Sequence, residues 1–275
     1  MRIAIYQART GIDPAANADA LAGAVRDAGT GKAAILFTPE MSGLLDRDRT
    51  RAADHYRREA DDPVLARVRK AAAEAGIWVA LGSLALLAND GQRLVNRSFV
   101  IDDQGAIRAR YDKIHLFDVD LPTGESWRES ASFAAGEQPV VAETPLGPLG
   151  LSICYDLRFA GLYAALSGAG ARVLTVPAAF TVPTGEAHWH VLLRARAIES
   201  ACFLVAAAQC GEHEDGRATY GHSLIIDPWG RILLDMGSEG PALGFADVDL
   251  AEVDAVRSRL PVLAHRRPLP PVQSA

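Results

Sequence analysis

Gly150-Leu151-Ser152-Ile153-Cys154-Tyr155-Asp156-Leu157-Arg158-Phe159 is the stretch that decides the fold. An apolar strand, Leu149 to Cys154, reaches a cysteine, and a helical pattern follows to about Ser167. Strand running into helix is the unit of an α/β layer structure. The same grammar extends in both directions. Upstream, Ile3–Gln7 reads as a strand, Asn17–Ala28 as an amphipathic helix, and Ala33–Thr38 as a buried strand stopped by Pro39. Pro63–Ala75 reads as a helix, with Asp62 as its N-cap, Pro63 in its first turn and Gly76 ending it. Ile77–Leu87 and Leu94–Asp102 read as strands around Asn89-Asp90-Gly91, and Ile107–Tyr111 as another.

Downstream, Arg172–Val176 is a strand, Glu186–Ser200 a helix and Phe203–Ala208 a strand. A hairpin pairs Gly221–Asp227 with Arg231–Asp235 around Pro228-Trp229-Gly230. From about residue 261 the tail, with His265-Arg266-Arg267-Pro268, reads as extended. No linker, composition shift or fixed-period repeat divides the chain. One α/β domain over 1–275 is the simplest organisation, and hairpins mixed with crossovers imply mixed sheets.

The composition narrows the function. The 275 residues are 49% hydrophobic and 23% charged, as in a soluble globular protein, with net charge −6. The densest basic stretch, Arg47 to Arg58, is interrupted by Asp48 and Asp54, so no nucleic-acid footprint is expected. The start of the chain lacks a secretory leader, and no apolar run is long enough to span a bilayer. Cys154, Cys202 and Cys210 are too few and too odd for a disulfide framework. A cytoplasmic protein is expected.

Cys154 sits where a nucleophile can be presented, since N–H groups at a helix start favour a thiolate and a developing oxyanion. The alternative is a buried, inert cysteine; Cys202 and Cys210, within or at the edge of an apolar strand, read as core. Cysteine nucleophiles usually pair with histidine, but none of the seven histidines occupies a distinctive strand end. His188 and His190 point apart on one helix, and His213 falls in a polar, solvated loop. No group has convincing metal spacing. Glu40, just past Thr38-Pro39, is either a pocket-facing general base or an acid serving a helix start. Lys113, after Arg110-Tyr111-Asp112, is either a fixed cation for an oxyanion or a surface lysine.

In combination these segments resemble the three catalytic motifs of the nitrilase (carbon–nitrogen hydrolase) superfamily. They are Thr38-Pro39-Glu40, the run Tyr111 to Asp120, and Gly150 to Phe159. The likeness continues through Pro177 to Thr181, Thr184 to Trp189, Leu193 to Glu199, Tyr220 to Ser223, Asp227 to Gly230 and His265 to Pro268. It therefore spans nearly the whole chain.

The resemblance implies a four-layer αββα sandwich with two mixed sheets face to face and helices outside. It implies Glu40 as general base, Lys113 as oxyanion stabiliser and Cys154 as nucleophile, with the Tyr155 N–H as a second oxyanion donor. Glu129 matches a second, positioning glutamate, with Glu125 as a competitor. Arg158 and Thr184 match binders of a substrate carboxylate, although Arg158 is open to the alternative of a salt bridge with Asp156 or a neighbour. Neither metal nor organic cofactor is implied. The expected partners are a small-molecule amide and further copies of the chain, as a homodimer or larger assembly. Ala206 to Gly211, Arg217 to His222 and the terminal His-Arg-Arg-Pro favour the Nit branch and, within it, amidases acting on deaminated glutathione. The alternatives are an ω-amidase acting on α-ketoglutaramate and a catalytically silent interaction protein. The polar segment Pro122 to Glu137 leaves the pocket wall, and so the substrate, open.

Overall fold

Alternate residues of the first strands enter two different cores. Ile3, Ile5, Ile35 and Phe37 pack with Leu149, Leu151, Val173 and Phe203. Their neighbours Ala4 and Leu36 pack instead with Leu21, Val25, Leu65 and Val68. Side chains alternate across a strand, so this sheet is covered on one face by a second sheet and on the other by helices.

The computed structural model describes residues 1–88, 90–120, 124 and 126–273. Its first half holds β1 (Arg2–Gln7), α1 (Pro14–Thr30), β2 (Ile35–Phe37), α2 (Arg49–Ala53), α3 (Pro63–Ala75), β3 (Trp78–Leu87), β4 (Leu94–Ile101) and β5 (Ile107–Asp112). A small hairpin, β6 (Asp118–Asp120) with β7 (Ser126–Arg128), crosses to the second half. There follow β8 (Val141–Thr144), β9 (Gly147–Leu151), α4 (Ala160–Gly168), β10 (Val173–Thr175), α5 (Val182–Ser200) and β11 (Phe203–Ala206). The chain closes with β12 (Cys210–Glu212), β13 (Ala218–Tyr220), β14 (Leu224–Ile226), β15 (Ile232–Asp235), β16 (Ala242–Asp247) and α6 (Ala251–Arg259). The two six-stranded sheets run β16-β1-β2-β3-β4-β5 and β15-β14-β11-β10-β9-β8, each with parallel and antiparallel neighbours. The architecture is the expected αββα sandwich.

Local chemistry sets the boundaries. The Asp62 carboxylate accepts from the Leu65 N–H at 2.7 Å, Pro63 opens α3, and Gly76 ends it at φ 63°. Two helices start earlier than expected, α1 at Pro14 and α5 at Val182. Gly185 looks like a breaker but is a close-packing residue, because a Cβ there would lie 2.2 Å from the Tyr220 ring. The strand expected over Leu149–Cys154 stops at Leu151. Cys154 has φ 49°, outside the β region, and opens a 3₁₀ turn over Cys154–Arg158. The Asn89-Asp90-Gly91 turn lies partly outside the described residues. Arg266 fastens the tail by donating to Ala164 O at 2.8 Å and Glu199 O at 3.1 Å.

His213 is buried, not solvated. Its Nδ1 donates to Thr10 O at 2.9 Å and its Nε2 accepts from the Thr219 hydroxyl at 2.8 Å, which fixes a neutral tautomer. Burial, followed by Arg217 nearby, pushes this imidazole below its ordinary value of 6.5. The unfolded chain therefore binds the proton more readily, and stability falls as pH drops from 6.5 through the lowered folded value. Thermal unfolding at pH 7.5 and 5.5 is expected to show a larger loss for wild type than for His213→Gln. Equal losses would remove this residue from the acid response.

Candidate active site

Thr38-Pro39-Glu40 leaves β2 and turns against β3. Gly82 lets the backbones meet, since a Cβ there would lie 2.1 Å from Thr38 O. Glu40, 4% exposed, accepts from Lys113 Nζ at 2.8 Å and Asn96 Nδ2 at 2.9 Å through Oε1, and from the Ala179 N–H at 3.0 Å through Oε2. Lys113 follows β5 directly and is also buried. Its Nζ lies 2.9 Å from Glu129 Oε2, and that same oxygen accepts from the Phe117 N–H at 2.7 Å. Two of the ammonium's three donor directions are thus taken, one by each carboxylate.

Glu40, Lys113, Glu129, Cys154, Tyr155, Arg158 and Thr184, all nominated from sequence, line one cavity of about 450 Å³. Glu125 lies outside the described residues. Arg158 does not pair with Asp156. Its guanidinium faces His188 Nδ1 at 3.3 Å and lies over the rings of Phe180 (5.4 Å) and Tyr155 (5.8 Å). Thr184 Oγ1 is 2.8 Å from Thr181 Oγ1.

Burial alone would lower the Lys113 pKa. Glu129 and Glu40 outweigh it, so the ammonium is held well above its ordinary value and stays charged. Burial pushes the Cys154 thiol well up, Glu40 adds to this, and Lys113 opposes it. At rest the sulfur keeps its proton. An acceptor carboxylate and a fixed cation stand in the same cavity, so proton removal can be coupled to bond formation.

Two supporting residues were missed in the sequence. Asn96, in the middle of β4, donates to both Glu40 (2.9 Å) and Glu129 (3.2 Å), while its own Oδ1 has no partner among the described residues. Its signal is an amide in a strand, Leu94–Ile101, that is apolar at both ends. Asp156 is fully buried and accepts from Tyr111 Oη at 2.7 Å, the His115 N–H at 3.0 Å, His115 Nδ1 at 2.7 Å and the Ile153 N–H at 2.9 Å. It fastens the segment after Lys113 to the turn that carries Cys154.

The fold also joins three ligand-type side chains that the sequence keeps apart. His190 Nε2 and His222 Nδ1 lie 3.0 and 2.9 Å from the Asp235 carboxylate, and the three groups fall within 4.8 Å of one another. Among the described residues this is the one such group that could hold a metal, and none of the three lines the cavity. Sequence spacing missed it because the residues come from α5, the segment before β14, and β15.

Residues 2–258 match the carbon-nitrogen hydrolase family model. Deaminated glutathione amidase of Yersinia enterocolitica is 42% identical over 235 residues, 85% of this chain and 82% of that protein. The Homo sapiens protein of the same name is 41% identical over 272 residues, 97% and 82%. Among solved structures, the C. elegans NitFhit protein superposes with a TM-score of 0.87 at 37% identity, covering 97% of this chain but 65% of that one. The chain thus spans just under two-thirds of NitFhit. A glutamate-to-glutamine mutant of the amidase from Nesterenkonia sp. AN1, carrying the acetamide moiety of fluoroacetamide covalently at its active-site cysteine, matches with a TM-score of 0.82 at 28% identity, covering 97% and 94%.

Proposed function

Given that this chain belongs to the carbon–nitrogen hydrolase family and is an amidase of the nitrilase superfamily, we propose that it hydrolyses deaminated glutathione at Cys154, with Glu40 as base and Lys113 as oxyanion stabiliser. The carrying observation is that a proton acceptor, a cation and a thiol line one cavity, with Lys113 Nζ 2.8 Å from Glu40.

An amide resists attack because resonance lowers its electrophilicity, and an amine leaves poorly unless protonated. Cys154 Sγ attacks the carbonyl carbon as its proton moves to Glu40. The carbonyl oxygen becomes an oxyanion, held by the third Lys113 N–H and the Tyr155 N–H, donors worth about 3 kcal/mol each. Glu40 then gives the proton to the amide nitrogen, the C–N bond breaks, and a thioester remains. Water loses a proton to Glu40 and attacks the thioester. The C–S bond breaks, the sulfur regains its proton, and the acid leaves. Glu129 positions Lys113 throughout. No cofactor enters this scheme.

Arg158 and Thr184 are assigned to the substrate's acyl carboxylate. The Arg158 guanidinium has no carboxylate partner among the described residues, and it lies beside the turn that carries the thiol. Charged hydrogen bonds of this kind contribute about 1.5–3 kcal/mol. Arg158→Met is therefore expected to raise KM for deaminated glutathione by about 10- to 100-fold. An unchanged KM would remove this assignment. Turnover of deaminated glutathione against α-ketoglutaramate tests the substrate itself, and faster turnover of the second would make the protein an ω-amidase.

The remaining assignments are one domain over 1–275, a cytoplasmic location and a homo-oligomer. The cysteines are unpaired and, among the described residues, no helix is long and apolar enough to cross a membrane. Exposed Val191, Ile198, Trp229, Ile232 and Leu233, on α5 and the β14–β15 hairpin, support self-association.

A further inference from the structure

Resting on that reading and extending it, we propose that the cavity mouth carries a second carboxylate subsite, Arg47 with Arg49, which binds the amine half of the scissile amide. Three segments close this rim. The Arg47 N–H donates to Asp215 Oδ2 at 2.8 Å, and Arg217 Nε donates to the same oxygen at 2.7 Å. The Arg217 guanidinium lies 5.2 Å from the Trp127 ring centroid, and Arg49 donates to Arg128 O at 3.0 Å. Loop 46–49, β7 and the β12–β13 turn are thus fixed to one another around the entrance.

Carboxylates on these segments are already engaged, Asp48 as the N-cap of α2, accepting from the Thr50 and Arg51 N–H groups. Asp46 is gripped by Arg51 at 2.6 and 2.8 Å, and Asp215 by Arg217. Among the described residues the guanidinium groups of Arg47 and Arg49 have no carboxylate partner. Free surface arginines are ordinary, but these two line the same cavity as the thiol, in a chain of net charge −6. Local positive charge at a mouth concentrates anions against that global field.

The two cationic groups come from different walls. Arg158 follows Cys154 by one turn and lies over the Phe180 ring, whereas Arg47 belongs to the loop after Glu40 and Arg49 opens α2. An amide laid across the thiol can meet one with its acyl half and the other with its amine half. The class selected is an N-acylated amino acid or peptide with a free C-terminal carboxylate. Ammonia as leaving group offers nothing to this rim. A monoamide of a five-carbon acid also leaves much of the 450 Å³ cavity unfilled.

The test compares three amides sharing one five-carbon keto-acid half, with cysteinylglycine, cysteinylglycine carboxamide or ammonia as the leaving group. Wild type is expected to favour the free acid over its carboxamide by about tenfold in kcat/KM at low salt, less at high salt. In Arg47→Ala/Arg49→Ala this preference should fall towards one. Equal use of acid and carboxamide by wild type, or a preference that survives in the variant, overturns the subsite while amide hydrolysis stands. Wild type that hydrolyses the ammonia-releasing amide alone overturns both the subsite and the substrate assigned above.

Discussion

Cys154→Ala is expected to lower amide hydrolysis by about 10⁴- to 10⁶-fold, since removing a nucleophile leaves only what binding and the oxyanion donors contribute. The fold should survive. The sulfur is a protonated thiol at rest, held so by burial and Glu40, and no fixed charge of the site loses its partner when it goes. Stability should therefore change by less than about 1 kcal/mol, within the range of an ordinary small substitution. Single-turnover assays with deaminated glutathione, run beside thermal unfolding, separate the outcomes. Wild-type turnover by a folded Cys154→Ala protein would remove the thioester route altogether.

The second large effect concerns stability. Lys113→Met leaves the Glu40 and Glu129 side chains, 6% and 11% exposed, without the cation both contact. Removing one partner from a buried ionic group typically costs about 3–5 kcal/mol. At about 2–4 °C per kcal/mol for a chain approaching this size, the melting temperature at neutral pH should fall by roughly 6–20 °C. Lys113→Met/Glu129→Gln should recover part of the loss at neutral pH. A single variant as stable as wild type at every pH would mean that water reaches and solvates these carboxylates.

Much of this was legible in the chain. Helix α3 begins and ends at the expected residues because its signals, Asp62, Pro63 and Gly76, act within one turn. The seven nominated residues of the site all line one cavity. What failed did so for physical reasons. The strand over Leu149–Leu151 runs into Ser152-Ile153-Cys154 with only the small Ser152 interrupting the apolar run, and the left-handed backbone at Cys154 leaves no compositional mark. Asn96, Asp156 and His213 are ordinary surface residue types whose burial depends on partners up to 203 positions away, as in the bond from His213 to Thr10 O. Period-two patterning tells which face of a strand is apolar but never which strand lies beside it.

That limit bears on how the sandwich is completed. The Ile3–Gln7 backbone pairs on one side with β2 and on the other with Ala242–Ala246, the last strand. During synthesis that strand must wait, one flank bare, until residues 242–247 have been made. Contacts this distant along the chain form slowly. A nascent or truncated product that stops before residue 242 would present an apolar ribbon with unsatisfied amides, ready to recruit another such ribbon.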